Sequence, residues 1–255
     1  MVVIAYNAAD YLDRCLASIL RQTFQNFELI AVDDGSTDAT PDILNQYQAV
    51  IMIRQENLGT MRARQRGIEA ATGDYLIMVD ADDWLVPTAL EQLYQHAAKT
   101  QSDIVCHGCL LERRPMPFHP YNYALWLRVF KMDLVKSIDL GDIPSVYLCE
   151  DFILNALLSL NAAKTTVCWG YPYVKTVRRE SLSYGFSQQW FQDLQVAVHY
   201  LSGKIGQTHP ELLKRWVRIL ARDVASKKFS HLALTREALN FLRSHLPDEK
   251  GSGNL

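Results

Sequence analysis

Acidic residues gather at three places in this sequence: Asp33-Asp34 in LIAVDDGSTD, Asp80-Ala81-Asp82-Asp83 in YLIMVDADDW, and Glu150-Asp151 in CEDFIL. Like charges packed this closely oppose one another's ionisation unless a cation neutralises them. The three carboxylates within the four residues Asp80 to Asp83 therefore suggest a divalent cation held by oxygen ligands. Neither His nor Cys stands nearby, so the ion would be hard, Mn²⁺ or Mg²⁺. Such ions take one or two protein carboxylates and complete their shell with phosphate oxygens, which points to a phosphate-containing substrate. On the acids alone, a solvated turn leading toward Pro87 accounts for Asp82 and Asp83 equally well.

The segments around these clusters alternate in period. Strands are expected at 1–6, 27–32, 50–54, 74–80 and 103–110. Helices are expected from Asn7, as N-cap, through Leu20; from Thr40-Pro41 to about Tyr47; from Gly59 to Thr72, with Gly73 at C′; and from Pro87 to Lys99. This alternation predicts right-handed βαβ units and an α/β fold, its mostly parallel central sheet covered by helices on both faces. Asp33-Asp34 and Asp80–Asp83 then fall at carboxyl ends of strands, where open α/β sheets bind ligands. Glu150-Asp151 heads an apolar helix over 151–160.

After Leu111 the pattern changes. Pro115, Pro117 and Pro120 break regular structure, helical stretches are expected near 123–138, TTVCW and YPYVKTV read as strands, and Ser187 onward is mostly helical. The expected organisation is one domain over 1–185, in two parts (1–99 and 100–185), followed by a helical extension over 186–255.

Composition narrows the class further. With 255 residues, 49% hydrophobic and 21% charged, the chain is globular and not disordered or fibrous. The net charge of −2 argues against nucleic acid as a partner. It is unevenly spread: 211–245 carries eight Lys/Arg against three acids, leaving −7 on the rest. The five cysteines do not form a disulfide framework, and Cys106 and Cys109 in CHGC read as core thiols. No run approaches the roughly 18 apolar residues of a membrane span, and no signal peptide is visible. A cytoplasmic location is expected, peripheral on the inner face of the membrane if 211–245 lies on anionic lipid. Leu212, Leu213, Trp216, Ile219 and Leu220 supply an apolar side to that segment, which suits either a lipid surface or packing on its own domain.

Taken in order, AYNAADYLDRCLASILRQTFQNFELIAVDDGSTDAT, NLGTMRARQRGIEAATGDYLIMVDADDW and CEDFILNALL resemble the family 2 glycosyltransferases of the GT-A fold. The resemblance is dense from residue 2 to about 99 and continues to ESLS at 180–183. It implies a Rossmann-like domain that moves a sugar from a nucleotide-sugar donor, expected to be UDP-linked, onto a glycan or lipid-linked saccharide. The pathway it implies is bacterial lipopolysaccharide, capsule or related surface polysaccharide synthesis, with a hexosyl or N-acetylhexosaminyl group transferred.

The family's site residues map onto named positions. Tyr6 would stack on the nucleobase, Asp34 would contact base or ribose, and Asp33 would hold the loop. Arg64 would meet the nucleotide or diphosphate, as would Arg178. Asp80 would lie near the ribose and Asp82 on the metal, with Asp83 a weaker ligand. Asp151 would be the general base, supported by Glu150. A carboxylate suits that role because an acceptor hydroxyl must lose its proton as it attacks the anomeric carbon. A metal opposite it would neutralise the departing diphosphate, which favours single displacement with inversion. Without the resemblance, Asp151 reads first as a helix N-terminal acid favoured by the macrodipole.

Three departures stand out: Ile4 replaces the family's proline, the chain starts almost inside the first strand, and Gln65 replaces an asparagine. They leave room for a non-catalytic nucleotide-sugar-binding module or scaffold. A sugar-1-phosphate nucleotidyltransferase would need a Gly-rich basic loop where AYNAAD stands. His107, Arg113, Arg114, His119, Trp126 and Arg128 lie where an acceptor would be recognised.

Overall fold

A computed structural model describes residues 1–112, 114–116, 124–144, 146, 149–176, 188–226 and 232–244. Two compact units are present, one of 1–145 with 150–179, the other of 146–149 with 180–255.

The first unit starts as the alternation requires. Val2–Ala5 (β1), Ala9–Leu20 (α1), Leu29–Asp34 (β2), Thr40–Gln46 (α2), Val50–Gln55 (β3), Thr60–Ala70 (α3) and Tyr75–Asp80 (β4) follow in chain order. β2 pairs in parallel with β1 and β3, and β1 with β4. β2 is buried at all six positions, as a central strand covered on both faces should be. Helix α1 buries Leu12, Cys15, Leu16 and Ile19, the stripe its sequence period marks out. Helix α3 lies so close to the sheet that a Cβ on Gly67 would collide with Val2.

Beyond β4 come Trp84–Leu85 (β5), Ala89–Thr100 (α4), Ile104–Cys106 (β6), Cys109–Leu111 (β7) and Arg114–Met116 (β8). Arg128–Lys131 (β9), Met132–Lys136 (α5), Glu150–Asn161 (α6), Thr165–Val167 (β10) and Tyr173–Lys175 (β11) complete the unit. The large sheet has the order β10-β6-β9-β4-β1-β2-β3, and a smaller one the order β5-β11-β7-β8.

Four sequence expectations are corrected here. The segment 103–110 is not one strand: β6 pairs with β9 and β10 in the large sheet, whereas β7 pairs with β8 and β11 in the small one. The chain changes sheets at His107-Gly108, where a Cβ on Gly108 would come within 2.9 Å of Met116 O and Tyr171 Cδ1. The stretch near 123–138 holds a single turn of 3₁₀ helix (Leu125–Leu127), then β9, then short α5. β9 runs antiparallel between β4 and β6, so the large sheet is mixed although most of its pairings are parallel.

Asn7 is not the cap of α1. It holds a left-handed φ of 47° and accepts Thr37 N at 2.8 Å, while Thr40 Oγ1 and Asp38 Oδ2 accept the amides of Ala8 and Ala9. Gly73 is not a C′ residue either, because α3 ends in an extended Ala71, and the Gly73 amide donates to Glu28 at 2.8 Å.

All five cysteines are free; four are buried and Cys168 is half-buried, as core thiols would be. α6 buries Phe152 through Leu158, consistent with its apolar sequence.

In the second unit, Gln188–Ile205 (α7), Pro210–Ser226 (α8) and Leu232–Ser244 (α9) pack on one another. Leu213, Trp216, Val217 and Leu220 of α8 are buried, with Arg215 and Arg218 on its exposed side. Phe191 of α7 meets Phe241 of α9 edge-on at 6.0 Å. Among the described residues no helix is long and apolar enough to cross a membrane.

Candidate functional site

Strand β4, inside the large sheet, carries Asp80 at its carboxyl end, and the turn to β5 places Asp82 and Asp83 beside it. One carboxylate oxygen from each of the three lies within 4.8 Å of the others, the one such grouping among the described residues able to hold a metal ion. The small sheet fixes this corner. Tyr173 of β11 donates its hydroxyl to Asp83 Oδ2 at 2.7 Å and accepts the Asp80 amide at 3.1 Å. Thr176 donates its amide to Asp83 Oδ1 at 2.8 Å and its hydroxyl to Asp82 O at 2.6 Å. Arg14 donates to the same Asp82 carbonyl at 3.0 Å.

Burial of this corner pushes the Asp83 carboxyl up to about 7, with Asp80 and Asp82 adding to the rise and Lys175 opposing it. Asp80 is raised in the same direction, again by burial first. Lys175 Nζ lies 3.8 Å from Asp83 Oδ2 and 4.8 Å from the centre of the Trp126 ring, which stacks on Tyr173. One ammonium thus faces three carboxylates, an excess of negative charge that suits a bound divalent ion. Among the described residues the Asp80 carboxylate accepts no hydrogen bond, leaving both of its oxygens available as ligands.

At the end of β2, both acids of DDGS hold backbone. Asp33 Oδ1 accepts Ser36 N at 3.0 Å, and its Oδ2 lies 3.2 Å from Arg54 Nε. Asp34 accepts Leu58 N and Gly59 N at 3.0 Å, one on each oxygen, and Gln55 Nε2 at 2.7 Å. Asp33 thus holds the DDGS loop, as expected, and Asp34 in addition fixes the entry to α3. Tyr6, just beyond the carboxyl end of β1, is 45% exposed, a state suited to stacking.

Arg64 of α3 is buried against the start of α6. Its Nη1 lies 2.7 Å from Glu150 Oε1 and 2.6 Å from Asp151 Oδ1. Asp151 Oδ2 accepts Leu125 N at 3.2 Å. Burial works against the Arg64 charge, but Asp151, Glu150 and Asp80 outweigh it and its pKa is raised. Burial pushes Glu150 up to about 7, with Arg64 pulling it down and Asp151 adding to the rise.

Several functional candidates were not visible in the sequence. Lys175, Tyr173 and Thr176 belong to YVKT, which carries no motif, and only the pairing of β11 with β5 brings them to the acids. Of the residues expected at the acceptor region, His107, Trp126 and Arg128 are buried and Arg114 is exposed. Arg113, His119 and Arg178 lie outside the described residues.

The family described as "Glycosyl transferase family 2" matches residues 1–141. The chain is 39% identical over 271 residues to the uncharacterized glycosyltransferase YibD of Escherichia coli K12, covering 94% of this chain and 76% of that protein. It is 32% identical over 205 residues to the poly(ribitol-phosphate) beta-glucosyltransferase of Bacillus spizizenii, covering 71% and 32%. Several relatives are much longer than the matched stretch, which spans from 16% to 36% of three bacterial glycosyltransferases. Among solved structures, S. aureus TarS 1–349 in complex with UDP-GlcNAc superposes with a TM-score of 0.78 at 18% identity, covering 96% of this chain and 80% of that one. The fold is thus the α/β GT-A architecture. The chain belongs to family 2 of the glycosyltransferases.

Proposed function

We propose that this chain is a metal-dependent, inverting glycosyltransferase that moves a hexosyl or N-acetylhexosaminyl group from a UDP-sugar to a glycan or lipid-linked saccharide of a bacterial surface polysaccharide. The observation that carries this reading is the Asp80, Asp82 and Asp83 corner, with its oxygens within 4.8 Å of one another at the carboxyl end of β4. Arg64 feels Asp80 together with Glu150 and Asp151, so the metal corner and the α6 acids share one electrostatic neighbourhood. The donor class is supported by the UDP-GlcNAc held by TarS, and the acceptor class by the surface-polymer activity printed for the Bacillus spizizenii relative.

In this reading Tyr6 stacks on the nucleobase, and Asp34 contacts base or ribose. Asp82, with Asp80, would hold Mn²⁺ or Mg²⁺, which when bound neutralises charge on the departing diphosphate. Asp151 removes the proton of the acceptor hydroxyl as that oxygen attacks the anomeric carbon. The bond to the diphosphate breaks on the opposite face, so the configuration inverts. Arg178 contacts the diphosphate.

The test is a panel of UDP-sugars with Mn²⁺, read by melting temperature and by release of UDP. A donor that shifts the melting temperature and turns over supports the reading; no shift with any donor sinks it. Turnover must also be lost in Asp151→Asn with donor binding retained. Binding without turnover in the parent protein would instead indicate a scaffold.

Peripheral contact with an anionic membrane through 211–245 is also proposed. Because Leu213, Trp216, Val217 and Leu220 of α8 are buried, its basic side would make the contact. Absence of flotation with anionic liposomes at moderate salt would remove it.

A further inference from the structure

The family resemblance points Arg64 at the donor phosphates; in the structure its guanidinium pairs with the two acids at the head of α6. We propose that Arg64 is the positioning residue of the general base, clamping the Asp151 carboxylate in place rather than binding the diphosphate. This rests on Asp151 being the base.

Two fixed contacts define the orientation of that carboxylate. Arg64 Nη1 holds Oδ1 at 2.6 Å from the α3 side, and Leu125 N holds Oδ2 at 3.2 Å from the 3₁₀ turn before β9. Oδ1 is held by charge, without a hydrogen bond, and Oδ2 by a hydrogen bond, so the two contacts together favour one orientation of the carboxylate. The Arg64 side chain is 7% exposed and those of Glu150 and Asp151 are 10% and 19% exposed, so little water competes.

Arg64 itself is held by a second acid, since the same Nη1 lies 2.7 Å from Glu150 Oε1. Swinging the guanidinium out to a phosphate would leave two largely buried carboxylates without their cation, which is costly.

Helix α3 gives the clamp a rigid base. Its entry is pinned where Asp34 accepts the amides of Leu58 and Gly59, and Arg64 projects from the same helix just over a turn later. A reacting group must be held close to its productive geometry for full rate, and a rigid element held at two points does this. The other charged groups facing Asp151 are Glu150 on its own helix, Asp80 from β4, Lys175 from β11 and Arg128 from β9. None of these others is paired with the Asp151 carboxylate as closely as Arg64.

The test compares Arg64→Lys, which keeps the charge but loses the planar fork, with the charge-balanced pair Arg64→Met/Glu150→Gln, which guards against failure to fold. UDP affinity in the presence of Mn²⁺ is measured by calorimetry, and kcat and KM by UDP release from UDP-N-acetylglucosamine and UDP-glucose. The expected result is unchanged UDP affinity with kcat lowered on the order of 100-fold, the cost of a misplaced reacting group. Weakened UDP affinity with kcat intact would make Arg64 a donor contact, and no change in either would make the pairing merely structural; both overturn the proposal.

Asp151→Asn separates the two levels of the claim. If that variant is inactive while the Arg64 variants are not, the clamp fails and the base stands; if it keeps full turnover, the base itself is wrong. A thermal double-mutant cycle between Arg64→Met and Asp151→Asn needs no turnover. Non-additive losses are expected, and additive ones would overturn the contact.

Discussion

The hydroxyl of Tyr173 donates to Asp83 Oδ2 over 2.7 Å, linking the small sheet to the acidic corner at the end of β4. The same oxygen atom of Tyr173 accepts the Asp80 amide at 3.1 Å, so one phenol sets the spacing of two candidate ligands. Tyr173 is fully buried and its pKa is raised well above the ordinary phenol value, by burial first and then by Asp83 and Asp80. Tyr173→Phe keeps the ring stacked on Trp126 but strands a buried carboxylate oxygen and a buried amide. The expected loss is about 1–3 kcal/mol for groups left unsatisfied, measured by urea denaturation. A change within error would mean that other groups satisfy both atoms.

The acidic corner makes a second expectation. If Asp80 and Asp82 hold a divalent ion, adding Mn²⁺ stabilises the folded state by mass action, by about 2.7 kcal/mol at a hundred times the dissociation constant. EDTA reverses the shift. Asp80→Asn and Asp82→Asn should each abolish it, and because like charge is also relieved, the apo form of Asp80→Asn should melt no lower than the parent. A melting temperature indifferent to Mn²⁺ in the unaltered protein would remove the metal site.

How far the sequence could be read depended on the range of the interactions. The strands β1 to β4 and the helices between them were legible because each element's burial is written in its own apolar period, as in Leu12, Cys15, Leu16 and Ile19 of α1. The acid clusters were legible because their members are sequence neighbours. β9 was not: RVFK sits between LWL and MDLV in one apolar run, and it is a strand because β4 and β6 supply partners on both sides. The Arg64–Glu150 contact joins residues 86 apart, and nothing local to either one announces it. Likewise, the cap of α1 comes from Asp38 and Thr40, across a loop, and so the local cap signal of Asn7 misled.

Gly108 marks the change of sheet and provides a direct test of the corrected topology. A Cβ there would come within 2.9 Å of Met116 O and Tyr171 Cδ1 and 3.0 Å of Gly170 O, two of them backbone atoms that cannot swing away. Gly108→Ala should therefore destabilise by about 1–3 kcal/mol, the usual cost of overpacking. Had 103–110 been one continuous strand, alanine would have been tolerated there. A neutral or stabilising effect in thermal denaturation would contradict the sheet switch.

His107, one residue earlier, makes stability depend on pH. It is fully buried, its Nδ1 lies 2.9 Å from Gly108 O, and its Nε2 has no hydrogen-bond partner among the described residues. Burial, aided by Arg128 and opposed by the Gly108 carbonyl, lowers its pKa from 6.5 to about 4. Between those values the unfolded chain takes up a proton that the native state refuses, so the unfolded state binds more protons and stability falls as the pH falls. The contribution is intact above pH 6.5 and lost progressively down to about pH 4, amounting to about 3 kcal/mol at 1.36 kcal/mol per pH unit. Carboxylates elsewhere also titrate in acid, so the informative quantity is a difference. His107→Gln keeps a neutral donor for the Gly108 carbonyl and removes the titration. The gap between its urea midpoint and the parent's should move in its favour from about pH 7 to pH 4.5. Parallel curves would show that His107 is free to protonate in the folded protein.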